Sequence, residues 1–280
     1  MSTLTRGVAA EFTKIFSTRM WWILLAVLVG YVALLAGGLS ALFGGISTGA
    51  IPASMANTGG SGLPDLAALP PLIYSFGATI GYVFPVLIGA LATTGEVRHQ
   101  TLTPTFLANP RRGSVLGAKS LALFIVGAGF GVAAVLASVG TGALTLSFFG
   151  IDPLLGETDT WTLIGRMVLA MALWAIVGVG LGVLVPSQVA AIVIVLAFTQ
   201  FVEPLLRLAA MFLDATAVIG RYLPGAASDA LVGTSFYSLM GQVNAGADML
   251  PWWQGGLVLL GYAVVFTVAG YFSSWKKDVS

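Results

Sequence analysis

Six runs of apolar residues, at 20–43, 72–94, 115–149, 161–185, 189–213 and 252–275, constrain this chain more than any motif in it. An α-helix needs about 20 predominantly apolar residues to cross a hydrocarbon core about 30 Å thick. Backbone N–H and C=O groups find no water there, so spanning segments are helices or strands of a closed barrel, and uninterrupted runs of this length read as helices. The expected fold is an all-α membrane protein, a single transmembrane domain covering residues 1–280. Composition agrees: 58% of residues are hydrophobic and 8% charged, against about 45–50% and about 25% in soluble domains. The first run is too long for a signal-peptide core and no small-residue cleavage site follows it, so it reads as a retained span. The third run is longer than one crossing needs and should tilt or project from the membrane. Spans four and five leave only Pro186, Ser187 and Gln188 for a tight turn.

Six crossings bring both termini to one side. Basic residues accumulate on cytoplasmic loops. Placing both termini and the 95–119 loop inside gathers Arg6, Lys14, Arg19, Arg98, Arg111, Arg112, Lys119, Lys276 and Lys277 there, out of 12 Lys and Arg in all. Outside lie Asp65, Asp152, Glu157, Asp159, Asp214, Asp229 and Asp248, with Arg221 as the basic exception. The expected location is the plasma membrane, multi-pass, with cytoplasmic N- and C-termini. Trp21 and Trp22, and Trp252, Trp253 and Trp275, suit the interfacial aromatic belt.

Three segments flank the spans. In residues 1–19, Leu4, Val8, Phe12, Ile15 and Phe16 share one helical face and Arg6, Thr13, Lys14 and Ser17 lie away from it. That pattern describes an amphipathic helix on the membrane surface. Residues 44–71 are rich in Gly, Ser and Pro and read as an outer loop. Residues 214–251 hold VIGRYLP and DALVGTSFYSLMGQ, each too short to span, so short outer re-entrant helices are expected there.

Little in the chain suggests catalysis. It has no cysteine and one histidine, His99, which rules out disulfides, thiolate sites and a His-based metal cluster within one chain. HExxH is impossible and GxSxG is absent. Gly113-Ser-Val-Leu-Gly117-Ala-Lys119 misses the P-loop, which needs four residues between its glycines and Lys directly after the second. No catalytic, cofactor or metal site is expected. A net charge of +1 leaves no basic surface for nucleic acid. Gly77–Gly81, Gly127–Gly131 and Gly178–Gly182 fit the GxxxG spacing that lets helices approach closely.

Two polar features stand out. Span five carries Gln200, Glu203, Pro204 and Arg207, and Glu203 and Arg207 are spaced to pair along one helical face. This stripe reads either as the lining of a substrate path or as a self-satisfied pair beside a Pro204 kink. Between spans two and three, GEVRHQTLTPTFLANPRRGSVLGAKS collects Glu96, Arg98, His99, Arg111, Arg112 and Lys119. Thr103 reads as a helix N-cap with Pro104 at the first helical position, and Asn109-Pro110 as the stop. The product would be a short helix displaying Phe106 and Leu107 within a polar rim, a shape suited to a partner's cleft.

The order Glu96, Arg98, Thr101-Leu102, Phe106-Leu107, Pro110-Arg111-Arg112 and Lys119 resembles the cytoplasmic loop of bacterial ABC-2 type transporter permeases. Many members have Gly where this chain has Gln100. The likeness extends to the surface helix with Glu11, Phe12 and Lys14, the six spans and the short outer helices. It implies the transmembrane subunit of an ABC exporter in the bacterial inner membrane. Such a subunit pairs with a second permease copy (homodimer or paralogue) and binds two ABC ATPase subunits, which hold ATP and Mg. Residues 95–114 would form the coupling loop, with Thr103, Pro104, Phe106, Leu107, Arg111 and Arg112 on the ATPase. Residues 1–19 would be the connecting helix, spans two and five would line the path, and a hydrophobic or amphipathic drug, lipid or peptide would be the cargo. The alternative is a secondary transporter or channel without an ATPase partner. That class favours inverted repeats with several mid-membrane ionisable groups, and no clear repeat is visible.

Overall fold

The computed structural model of the chain describes residues 3–52, 66–212, 218–234 and 249–275. The described residues form helices and connecting turns with no strand. They run as α1 (Thr3–Phe16), α2 (Met20–Ser47), α3 (Leu69–Thr79), α4 (Val83–Arg98), α5 (Leu102–Ala108), α6 (Arg112–Phe148), α7 (Thr158–Leu184), α8 (Gln188–Ala197), α9 (Glu203–Phe212), α10 (Pro224–Val232) and α11 (Trp252–Gly270). Six stretches are long and apolar enough to cross a membrane: Met20–Ser47, Leu66–Arg98, Arg112–Phe148, Thr158–Leu184, Gln188–Ala210 and Trp252–Trp275. The protein is thus built as a multi-pass membrane protein.

Each expected span is present, with instructive differences. Span one runs to Ser47 rather than 43. Span two begins at Leu66, inside the expected loop, with Pro70 and Pro71 in the first turn of α3, where a missing N–H costs nothing. Span two is also broken, because α3 ends at Thr79 and α4 starts at Val83. Pro85 has no N–H to donate to Gly81 and its ring would crowd that carbonyl. Phe84 N–H takes the Gly81 carbonyl instead, at 3.1 Å. Span five widens into a π-helical turn at Phe198–Val202, immediately before Pro204, so the expected kink is spread over one loose turn. Span three, at 37 residues, would measure about 55 Å as a straight helix, which exceeds the hydrocarbon core.

The centre of the bundle is α7, which packs along α4, α6 and α11, while α2 and α3 cover α6 and α8 covers α4. Glycine makes these contacts close. A Cβ at Gly127 or Gly131 would strike Ala172 or Val168 of α7, and one at Gly178 or Gly182 would strike Val86 or Ala90 of α4. Both GxxxG pairs are therefore packing seams. Gly77–Gly81 divides its work: Gly77 meets Ala134 and Ser138 of α6, whereas Gly81 abuts the Gly77 carbonyl at the span-two break.

The 214–251 region departs most from expectation. Residues 218–220, at the start of VIGRYLP, are helical. A further helix, α10, starts at Pro224 and stops at Val232, joining the end of that segment to the start of DALVGTSFYSLMGQ, whose residues from 235 on lie outside the described ones. Pro224 opens it at a position that favours proline, and Gly233 closes it at φ +96°. α10 packs against α3, α7 and α11, and most of it is buried. Residues 235–248 fall outside the described residues, as do Asp65, Asp214, Lys276 and Lys277.

Candidate functional site

At the end of the bundle that carries α1 and α5, four charged side chains meet from three helices. Lys119, two turns into α6 and only 1% exposed, donates to Glu11 of α1 at 2.5 Å and lies 3.2 Å from Glu96 of α4. Lys14 of α1 donates to Glu11 at 2.7 Å and to Glu96 at 2.6 Å. Two acids and two bases alternate, so the cluster is neutral. Burial alone would raise the Glu11 carboxyl, but the ammonium groups of Lys119 and Lys14 outweigh it and hold the group below its ordinary range. Burial likewise opposes the Lys14 ammonium, and the carboxylates of Glu11 and Glu96 overcome it and raise that group.

The cluster corrects the picture of the first helix. Glu11 and Ile15 are buried side by side, Lys14 turns toward the bundle instead of away from it, and Phe12 packs partly into the core. Leu4 and Phe16 stay about half exposed, which leaves an apolar edge for the membrane. Sequence reasoning named all four charges and missed their union. The available signal was Lys119: an ammonium about one turn inside an apolar run needs a partner.

The loop between spans two and three folds as a helix, α5, with altered bounds. It starts at Leu102, so Thr101 takes the N-cap place, its hydroxyl donating back to the Glu96 carbonyl at 3.4 Å instead of capping α5, and Thr103 and Pro104 lie within the first turn, both exposed. The end of α4 sets this frame. Thr101 N–H donates to Glu96 O and Gln100 N–H to Val97 O, the double bond pattern of a Schellman motif. That motif puts Gln100 at φ +54°, the left-handed conformation in which glycine is strongly favoured. A glycine would meet no steric penalty at this position, whereas Gln100 carries a Cβ into it. At the other end, the Asn109 side chain accepts from Arg111 N–H at 3.2 Å and donates to Ser114 at 3.1 Å.

Phe106 and Leu107 have different surroundings, contrary to the expected shared exposure. Leu107 is 81% exposed. The Phe106 ring stands edge-on to Trp275 with centroids 5.5 Å apart, and the Arg112 guanidinium lies 5.0 Å over it. Arg111 is exposed, as is His99 at the end of α4. Trp275, expected in an interfacial belt, is instead 4% exposed.

A second cluster occupies the other half of the bundle, where span two breaks, span five loosens and α10 begins. Arg207 donates to Asp229 at 2.6 Å and, through Nε and Nη2, to Glu203 at 3.2 Å. Gly225 and Ala226, in the first turn of α10, donate their N–H groups to the same Glu203 oxygen at 2.5 and 3.2 Å. Asp229 also accepts from Thr79, at the end of α3, at 3.1 Å. Glu203 therefore caps α10 while Arg207 joins α9 to it. The expected stripe is not continuous: Gln200 is exposed and contacts Thr199, whereas Glu203 is 1% exposed. A cleft of about 530 Å³ does open at the end opposite α5, lined by Tyr74, Glu157, Asp159, Arg166 and Val232 among others. None of Gln200, Glu203 and Arg207 lines it. The geometry favours the structural pair over the path lining, with Asp229 as the missed third member. Among the described residues no group of His, Cys, Asp and Glu could hold a metal ion.

No protein-family model matches this chain, and no curated protein matches it in sequence.

Proposed function

We propose that this protein is the membrane subunit of an ATP-driven exporter, with α5 as the handle on which a separate ATPase acts. The observation that carries the reading is α5 itself, a short helix that leaves Leu107 in the open while every neighbouring anchor ties it to the bundle. Leu102 is buried at its start, Phe106 leans on Trp275, and α4 and α6 on either side are joined by the Glu96–Lys119 pair. A connection needed only to reverse the chain gains nothing from an exposed leucine. A handle needs both an apolar contact for its partner and rigid attachment to the spans it moves. The neutral cluster of Glu11, Lys14, Glu96 and Lys119 extends that attachment to α1, so a push on this end reaches three helices together.

On this reading the chain supplies the path and the ATPase supplies hydrolysis. The cargo is a hydrophobic or amphipathic compound, and a second permease copy completes the assembly in a bacterial inner membrane. Expression together with the genes that neighbour it tests whether a separate P-loop ATPase is recruited. Co-purification of that ATPase with the wild-type chain, lost on Leu107→Asp while membrane insertion persists, is the expected outcome. A wild-type chain that recruits no ATPase overturns the proposal.

A further inference from the structure

Trp275 ends the last span, at a depth where an indole ordinarily rests among lipid headgroups. Here it is buried. Its ring N–H donates to the Arg112 carbonyl at 3.3 Å, and its own carbonyl accepts from the Arg112 guanidinium at 3.3 Å. Its ring meets Phe106 of α5 at nearly a right angle, with centroids 5.5 Å apart, and the same Arg112 guanidinium lies 5.0 Å over the Phe106 ring. The turn that holds Trp275, Tyr271–Trp275, is π-helical. A π turn adds a residue and rotates the side chains that follow it, which swings Trp275 toward α5 and α6. Ser274 in this turn donates to the Val183 carbonyl of α7, and Gly270 lies so close to α7 that a Cβ there would strike Val183 and Leu184. Span six is thereby fastened to the central helix directly beneath α5.

We infer that Trp275 is a positioning residue for α5, and that span six, through it, is a route by which movement of α5 reaches α7. The covalent neighbours of α5 are α4 and α6, and by sequence alone they are its only evident connections. The Phe106–Trp275–Arg112 stack adds a third, which runs through the end of span six to Val183. Trp275 fixes the tilt of α5, and Arg112 locks that arrangement to the first turn of α6. The inference rests on the reading of α5 as the handle for its importance, but the geometry it asserts is independent of any partner.

The chain has no cysteine, so two introduced cysteines label cleanly. Spin labels at Leu107→Cys on α5 and Val189→Cys, 68% exposed at the start of α8, report the position of α5 by pulsed electron resonance in nanodiscs without any ATPase. With doubly labelled chain diluted into unlabelled chain, so that only the distance within one copy is read, a single narrow distance is expected in the parent and in Trp275→Phe, which retains an aromatic support for Phe106. Loss of that narrow distance is expected in Trp275→Ala. Phe106→Ala removes the same contact from the α5 side and must give the same broadening, which covers the case in which Trp275→Ala does not insert. An unchanged distribution in either alanine variant overturns the inference, as does equal broadening in Trp275→Phe. Failure of the parent chain to recruit an ATPase would remove the proposed function and leave this distance measurement intact.

Discussion

Gln100 occupies a left-handed backbone position at the end of α4, where a residue with a Cβ carries a cost of about 1–2 kcal/mol. Gln100→Gly should therefore raise stability by up to about 1 kcal/mol, the extra chain entropy of glycine offsetting part of the relief, as a shift of the thermal midpoint in detergent would show. Lys119 is the opposite case. Its removal leaves Glu11 and Glu96 sharing Lys14, so Lys119→Met should destabilise by about 3–5 kcal/mol, the usual cost of stranding a buried charge. Adding Glu96→Gln to that variant should recover part of the loss, a coupling that a double-mutant cycle measures directly. The same cluster predicts a pH dependence with two edges. Glu11 titrates below its ordinary 4.5 in the folded protein, so its contribution is complete above pH 4.5 and disappears as pH falls through the lowered value. Lys14 titrates above its ordinary 10.5, so its contribution is complete below pH 10.5 and disappears as pH rises through the raised value. Thermal midpoints that hold between those limits and drop outside them bear this out; a maximum confined to one side would contradict it.

Whole helices were far more legible in the sequence than their junctions. A run of twenty apolar residues leaves the chain one solution in a bilayer, and every expected span is present. The break in span two was signalled by Pro85 four residues after Gly81, yet an apolar run conceals such a break from any hydropathy count. VIGRYLP is helical at residues 218–220, but its Pro224 opens α10 instead of closing the segment, because proline suits the first turn of a helix. The polar cluster beneath α10 was half visible. Glu203 and Arg207 are spaced four apart, but Asp229 comes from a segment 22 residues further on, and no local pattern announces that meeting. Since Glu203 caps α10 through Gly225 and Ala226, α10 should come loose when that contact is spoiled. A Cβ on Gly225 would lie 2.6 Å from Arg207 Nη2, so Gly225→Ala should destabilise by about 1–3 kcal/mol, typical of overpacking. Faster hydrogen exchange across 224–232, with α1 and α5 unaffected, is the expected signature. Uniform loss of protection throughout the bundle would show that the cluster does not act locally.

At the scale of the molecule, the described residues form a bundle around α7 with a charged anchor at one end and a charged capping cluster in the other half. The first cluster joins α1, α4 and α6, and the second joins α3, α9 and α10. Glycine seams hold α7 between them against α4 and α6. At the end that carries α5, the Glu11, Lys14, Glu96 and Lys119 pairs tie α1, α4 and α6 to one another. The account stands or falls on what meets Leu107. A photo-reactive amino acid placed there, with a second variant carrying it at Leu136, 69% exposed on α6, reads that contact directly in intact cells. The account predicts a cross-link from position 107 to an ATP-binding subunit and none from position 136. Cross-links from position 107 that reach only lipid or another copy of this chain would contradict it.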